Sequence, residues 1–156
     1  MRALRLRQEP TGTAAARAPR TDEPAQRRGA GLSVNCEERE GLIVLSLAGN
    51  LDIHTAPVFQ EYVRRYDPAE VQLVIDLAGV QLLDSTGLGA LVSLRNRARR
   101  EGGRLGLVCP DHRLMRLFWF TGLRPAFALG DDLATVRSAL AEGAGMCIKP
   151  VGVRAR

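Results

Sequence analysis

The stretch Val71–Leu77 (VQLVIDL) constrains this chain more than any other. It is a nearly continuous run of β-branched and aliphatic residues, the pattern of a strand buried on both faces. A second such run, Arg104–Cys109 (RLGLVC), ends at Pro110. Strands of this kind occur in sheets covered by helices, and helical periodicity lies on either side of both runs.

Upstream, Leu32–Glu38 and Gly41–Ala48 read as two strands joined by a turn near Arg39–Glu40. Thr55–Tyr66 reads as a helix, with Ala56, Val58, Phe59, Tyr62, Val63 and Tyr66 at three- and four-residue spacing and Asp67-Pro68 ending it. Thr86–Arg100 is expected to be helical, with Leu88, Leu91, Val92 and Ala98 inward and Arg95, Arg97, Arg99 and Arg100 outward, and Gly102-Gly103 as its stop. Asp111–Phe120 reads as a short helix capped by Asp111 and stopped near Gly122. A short strand, Ala126–Leu129, and a last helix, Asp131–Glu142, complete the pattern, with Leu133, Val136 and Leu140 on one helical face. The order β-β-α-β-α-β-α-β-α predicts an α/β fold: a single domain with a mixed sheet, mostly parallel after its first hairpin, and helices packed against it.

The ends differ from this core. Residues 1–31 contain seven Arg against Glu9, Asp22 and Glu23, with three Pro, three Gly and almost no bulky apolar residue. Such a segment cannot bury enough surface to offset its ordering entropy, so it is expected to be disordered and dispensable for folding. Residues 143–156 read as a basic tail. The net charge of +5 divides into +4 for residues 1–31, +3 for 143–156 and −2 for the domain at 32–142. A mildly acidic core with 4% aromatic residues argues against direct nucleic-acid binding.

No apolar run is long enough for a membrane span, and the start lacks the apolar stretch of a secretory signal. Cys36, Cys109 and Cys147 are odd in number and lack CxxC spacing, which disfavours a disulfide framework or a cysteine zinc site. The cytoplasm is the expected compartment.

Catalytic chemistry is poorly supplied. The two histidines, His54 and His112, fall at helix starts outside any ligand-like cluster. The single lysine, Lys149, lies beside Pro150 in the tail, so no phosphate-binding GxxxxGK[ST] loop exists. Asp52, Asp76 and Asp84 could be proposed as paired carboxylates, but capping and turn roles explain them as well. No catalytic residue, metal site or cofactor is expected.

One segment does not follow from helix stability. In Asp84-Ser85-Thr86-Gly87-Leu88-Gly89, three good N-caps precede a helix whose first turns hold two glycines. Glycine there costs about 0.5–1 kcal/mol relative to alanine. Bare backbone at this point lets another chain approach, or serves tight helix–sheet packing. On the first reading, Gly87→Val would weaken partner binding more than the fold.

At these residues the chain resembles STAS domains, specifically the bacterial anti-sigma factor antagonists. The resemblance spans about residues 32–142. It comprises Gly49-Asn50-Leu51-Asp52 before the first helix, the strand ending in Asp76-Leu77, Asp84 to Gly89, Leu117-Phe118 with Thr121-Gly122-Leu123, then Phe127 and the Asp132-Leu133 helix. It implies a binding module without catalysis. The unphosphorylated protein would bind an anti-sigma factor that is also a serine kinase, releasing a sigma factor. That kinase would phosphorylate Ser85, with Thr86 the less favoured acceptor, and a PP2C-type phosphatase would reverse the modification. Gly49, Asn50, Leu51 and Asp52, together with Asp84, Ser85, Thr86, Gly87, Leu88 and Gly89, would form the partner surface. The rival within the same fold is a STAS subunit or scaffold of a larger signalling or lipid-transport complex, whose members often lack the Asp-Ser-Thr/Ser-Gly pattern.

Elementary electrostatics agrees with a switch at Ser85. Phosphorylation adds roughly −1.5 to −2 charge at neutral pH. The helix N-terminus tolerates that charge within the fold. A partner fitted to a neutral hydroxyl would have to desolvate a dianion beside Asp84.

Overall fold

The computed structural model describes residues 31–68 and 70–143. The extension before Gly31 and the tail after Gly143, both expected to be poorly ordered, lie outside the described residues. β1 (Leu32–Arg39) and β2 (Leu42–Leu51) form an antiparallel hairpin. Its two-residue turn, Glu40-Gly41, takes φ values of 52° and 83°, the positive pair that matches the twist of a hairpin. α1 (Ala56–Val63), β3 (Gln72–Leu83), α2 (Ser85–Arg100), β4 (Leu105–Val108), α3 (His112–Phe120), a 3₁₀ turn at Arg124–Ala126, β5 (Ala128–Gly130) and α4 (Leu133–Ala141) follow. The sheet order is β1-β2-β3-β4-β5, parallel from β2 onward.

Alternation along the strands divides the core between two faces. Ile43, Leu45 and Leu47 of β2 and Leu73, Ile75 and Leu77 of β3 pack with α1, α2 and α3 through Phe59, Leu88, Leu91, Leu114 and Phe118. Leu42, Val44, Val74 and Val108 meet Val136 and Leu140 of α4 on the other face. α4 sits close because Gly106 and Gly130 have no side chain: a Cβ on either would collide with Val136 or Thr135. Burial on both sides explains why β3 reads as an unbroken apolar run.

Three expectations change. β3 does not stop at Leu77 but continues to Leu83, because Ala48–Leu51 of β2 extend the ladder alongside it. The pairing shifts register between Ser46 and Ala48, where a Cβ on Gly79 would stand 2.8 Å from the Leu47 carbonyl oxygen. A bulge of this kind leaves no periodic signature in a single sequence. Val58, placed inward by spacing, is exposed on α1. The arginine cluster of α2 is not all outward. Arg97 reaches across to α1 and donates to the carbonyls of Val63 (3.3 Å) and Tyr66 (2.8 Å), satisfying the end of that helix. Arg95 donates from Nε to the Ala126 carbonyl at 2.9 Å. Only Arg99 and Arg100 of the four are exposed.

Cys36 and Cys109 are core residues. The Tyr66 hydroxyl donates to the Cys36 sulfur at 3.2 Å. Burial pushes the Cys109 thiol up to about 11 and raises the Tyr66 phenol as well. Cys147 and Lys149 lie outside the described residues.

Candidate functional site

Parallel β2 and β3 end side by side, with Leu51 opposite Leu83. The chain leaving β2 turns through Asp52–Thr55 into α1, and the chain leaving β3 passes through Asp84 directly into α2. Two connections that are 31 residues apart therefore meet at one sheet edge.

Asp84 ties them together. It is the N-cap of α2, and its Oδ1 accepts from the Gly87 N–H at 2.8 Å. Its Oδ2 accepts from the Ile53 N–H at 3.2 Å, and its own N–H donates to the Leu51 carbonyl at 3.3 Å. One carboxylate thus caps the helix and fixes the neighbouring turn.

The turn holds its own shape. Asp52 Oδ1 accepts from the N–H groups of His54 (2.9 Å) and Thr55 (3.1 Å). Desolvation would raise the Asp52 carboxyl, but these bonds, the Thr55 hydroxyl and the nearby His54 outweigh it and hold the group below its ordinary range. The Thr55 hydroxyl is buried, donating to the Asn50 carbonyl at 2.8 Å and accepting from the Asp52 N–H at 2.9 Å.

The two glycines of α2 have different reasons. Gly87 is buried, and a Cβ on it would overlap the carbonyl oxygen of Leu51. Close approach there is internal, between α2 and β2, so Gly87→Val is a fold-breaking change and not the tolerated one expected from sequence. Gly89 is exposed, with nothing within 4 Å of where its Cβ would stand. Gly49, at φ 109°, packs against Gly31, and the Asn50 N–H donates to the Gly31 carbonyl at 2.9 Å. Leu51 and Leu88 are in the core. Of the ten residues singled out, Leu51, Gly87 and Leu88 support the surface from beneath; Ser85, Thr86 and Gly89 are exposed; Asn50, Asp52, Gly49 and Asp84 are half-buried.

Ser85 is the first residue of α2 and its side chain is exposed. Gly89, one helical turn on, lies on the same face. The same sheet edge also receives Asp111 after β4 and Asp131 and Asp132 after β5. Asp111 and Asp132 cap α3 and α4 through the N–H groups of Arg113 (2.7 Å) and Thr135 (2.8 Å). Hydrogen bonds from the Arg113 side chain and N–H bring the Asp111 carboxyl down to about 2, and the Thr135 N–H lowers that of Asp132.

Asp76 lies in mid-β3, where its carboxylate accepts from the Ala78 N–H at 2.9 Å, and does not join Asp84 as a carboxylate pair. His54 and His112 are exposed. Among the described residues no group of His, Cys, Asp and Glu is arranged to hold a metal ion, and no helix is long and apolar enough to cross a membrane.

The site also contains residues that sequence reasoning passed over. Ile53 is 60% exposed beside Asp84, and Leu82, two residues before Asp84, is 48% exposed. Their signal is visible afterwards: Ile53 is an apolar residue between Asp52 and His54 in a tight turn, where nothing in the local pattern calls for one.

The model of the STAS domain matches residues 33–139. The anti-sigma-B factor antagonist of Bacillus subtilis (strain 168) is 36% identical over 93 residues, covering 60% of this chain and 85% of the relative. That of Listeria monocytogenes is 38% identical over 94 residues, covering 59% and 82%. Among solved structures, an anti-sigma factor antagonist from Mycobacterium paratuberculosis superposes with a TM-score of 0.63 at 29% identity, covering 70% of this chain and 94% of that one. The chain belongs to the STAS domain family.

Proposed function

We propose that this protein is an anti-sigma factor antagonist that binds an anti-sigma factor kinase through the edge formed by α2 and the Asp52–Thr55 turn, and that phosphorylation of Ser85 switches the binding off. It acts as a binding module and substrate and not as an enzyme. The observation that carries the reading is an exposed Ser85 hydroxyl at the open end of α2, held beside the neighbouring turn by Asp84. The names of the relatives support the same class of partner.

The partner would meet Ser85, Thr86 and Gly89 on α2 and the exposed apolar side chains of Ile53 and Leu82, with Gly87 and Leu51 fixing the backbone behind them. Gly89 leaves room for close approach, and Ile53 supplies apolar area next to the hydroxyl. The kinase would transfer the γ-phosphoryl group of ATP to Ser85 Oγ, releasing ADP and the hydroxyl proton. A PP2C-type phosphatase would return serine and inorganic phosphate by hydrolysis. No acceptor occupies the N–H groups of Ser85 and Thr86 among the described residues, so the helix end can receive the phosphate without disturbing the fold. The partner, in contrast, would have to desolvate a dianion next to Asp84. At 1.4 kcal/mol per tenfold in affinity, a penalty of a few kcal/mol separates bound from released.

Calorimetric titration against the anti-sigma factor kinase, with phosphate incorporation followed in parallel, tests this. Ser85→Ala is expected to bind and to accept no phosphate. Ser85→Asp is expected to bind at least about tenfold more weakly, and Thr86→Ala to remain a substrate. Phosphate on Ser85→Ala at the wild-type level, or wild-type affinity for Ser85→Asp, overturns the assignment.

A further inference from the structure

The solvent face of α3 has a composition that the Ser85 edge does not explain. Its buried residues are Leu114 and Phe118. The opposite arc presents His112, Arg113, Arg116, Trp119 and Phe120, all exposed. Trp119 and Phe120 are 67% and 73% exposed, the two most exposed large apolar side chains described. Their rings contact one another edge to face, with centroids 6.3 Å apart. From His112 to Gly130 the sequence contains no Asp or Glu, and it carries Arg113, Arg116 and Arg124. Arg113 is ion-paired with Asp111 at 2.6 Å. Arg116 and Arg124 form no ion pair among the described residues, and both are exposed.

Two adjacent bulky aromatics exposed beside cations with no ion-pair partner among the described residues have the character of a surface that another molecule covers. Charge narrows the occupant. A second copy docking through the same face would bring Arg116 against its own like charges. The chain's own flanking segments, +4 before residue 32 and +3 after residue 142, are equally uncomplementary. The occupant is anionic. The aromatics project from the end of a helix as an adjacent pair, and such a projection suits a deformable surface that closes around it. Trp and Phe at the level of lipid headgroups, with arginines beside them, are the side chains that hold proteins to a bilayer interface.

We propose that the Trp119–Phe120 face of α3 docks on an anionic lipid surface, with the two rings entering the headgroup region and Arg116 and Arg124 engaging lipid phosphates. The proposal does not depend on the switch at Ser85. In α/β topology the end of a helix that follows a parallel strand lies at the opposite edge of the sheet from its start. Trp119 and Phe120, at the end of α3, thus lie toward the opposite end of the strands from Ser85, at the start of α2, and a membrane-bound molecule would keep its partner surface accessible.

Trp119 is the only tryptophan of the chain, so its fluorescence reports on this face alone. The full chain is titrated with vesicles of phosphatidylglycerol and phosphatidylcholine, and with vesicles of phosphatidylcholine alone. The expected result is a blue shift with the anionic vesicles, reversed by salt, with co-sedimentation. Trp119→Ser/Phe120→Ser and, separately, Arg116→Glu should lower the partition coefficient by at least about tenfold while circular dichroism stays unchanged. No shift with anionic vesicles, or an equal shift with neutral ones, overturns the proposal. So does wild-type sedimentation of the double variant, which would assign binding to the basic flanking segments. A blue shift that appears without lipid as protein concentration rises would assign the face to a second copy. A shift with poly-glutamate but not with vesicles would assign it to an acidic protein.

Discussion

The Ser85 edge and the outer face of α3 are both exposed, yet they are built in opposite ways. At the Ser85 edge a hydrogen-bond network lies behind the exposed groups: Asp84 caps α2 and holds Ile53, and Asp52, the Asn50 carbonyl and Thr55 close the adjoining turn. On α3, Trp119 and Phe120 stand in solvent with each other as ring partners. The first surface is braced by hydrogen bonds, and on the function proposed above a partner would read one hydroxyl held at a defined place. The second is a projection with no network behind it, and its energetics lie in transfer to another phase. Pre-organisation distinguishes a recognition site from an adhesive one.

The comparison breaks most easily at Gly87. A Cβ there overlaps the Leu51 carbonyl, so Gly87→Val must push α2 away from β2 and is expected to cost about 3 kcal/mol or more. The neighbouring exposed glycine is the control: Gly89→Ala should stabilise the fold by about 0.5–1 kcal/mol, because its Cβ meets nothing. Urea denaturation of both variants decides the matter. If Gly87→Val melts like the wild type, α2 is not held against β2 as described.

A smaller effect is expected from Asp84→Ala. It removes the cap on Gly87 and releases Ile53, for a loss of about 1–2 kcal/mol, and it should increase amide exchange at Ile53 and Gly87 together. Loss of protection at Gly87 alone would mean that Asp84 does not bind the two connections into one unit.

The smallest effect concerns acid. The carboxyls of Asp52, Asp111 and Asp132 lie lower in the folded protein than their ordinary value of 3.8, with Asp111 at about 2. A carboxyl depressed by folding stabilises the native state above its unfolded pKa, and that contribution fades as pH falls through the folded value. Stability should therefore decline between about pH 4 and pH 2, and Asp111→Asn should flatten part of that slope in melting temperature against pH. These groups are solvent-exposed, so screening keeps the change modest. An unaltered slope in the variant would remove Asp111 from the account.

Local pattern was enough for the element order, for Asp84 and Asp111 as caps, and for the buried character of β3 and β4, because each depends on residues near in sequence and on a periodicity they display directly. The excess of caps and glycines at Asp84–Gly89 marks the segment as unusual along the chain, while the role proposed for Ser85 comes from the family resemblance and not from that pattern. The reach of β3 to Leu83, the turning of Arg95 and Arg97 onto the carbonyls of other elements, and the separate reasons for Gly87 and Gly89 were not readable along the chain. Each is set by what an element 30 or more residues away presents: the end of β2, the close of α1, the carbonyl of Leu51. Periodicity records which face is buried. It does not record which backbone lies against that face, and packing at close range decides whether a bare Cα is needed to let two elements touch or is left open to something outside.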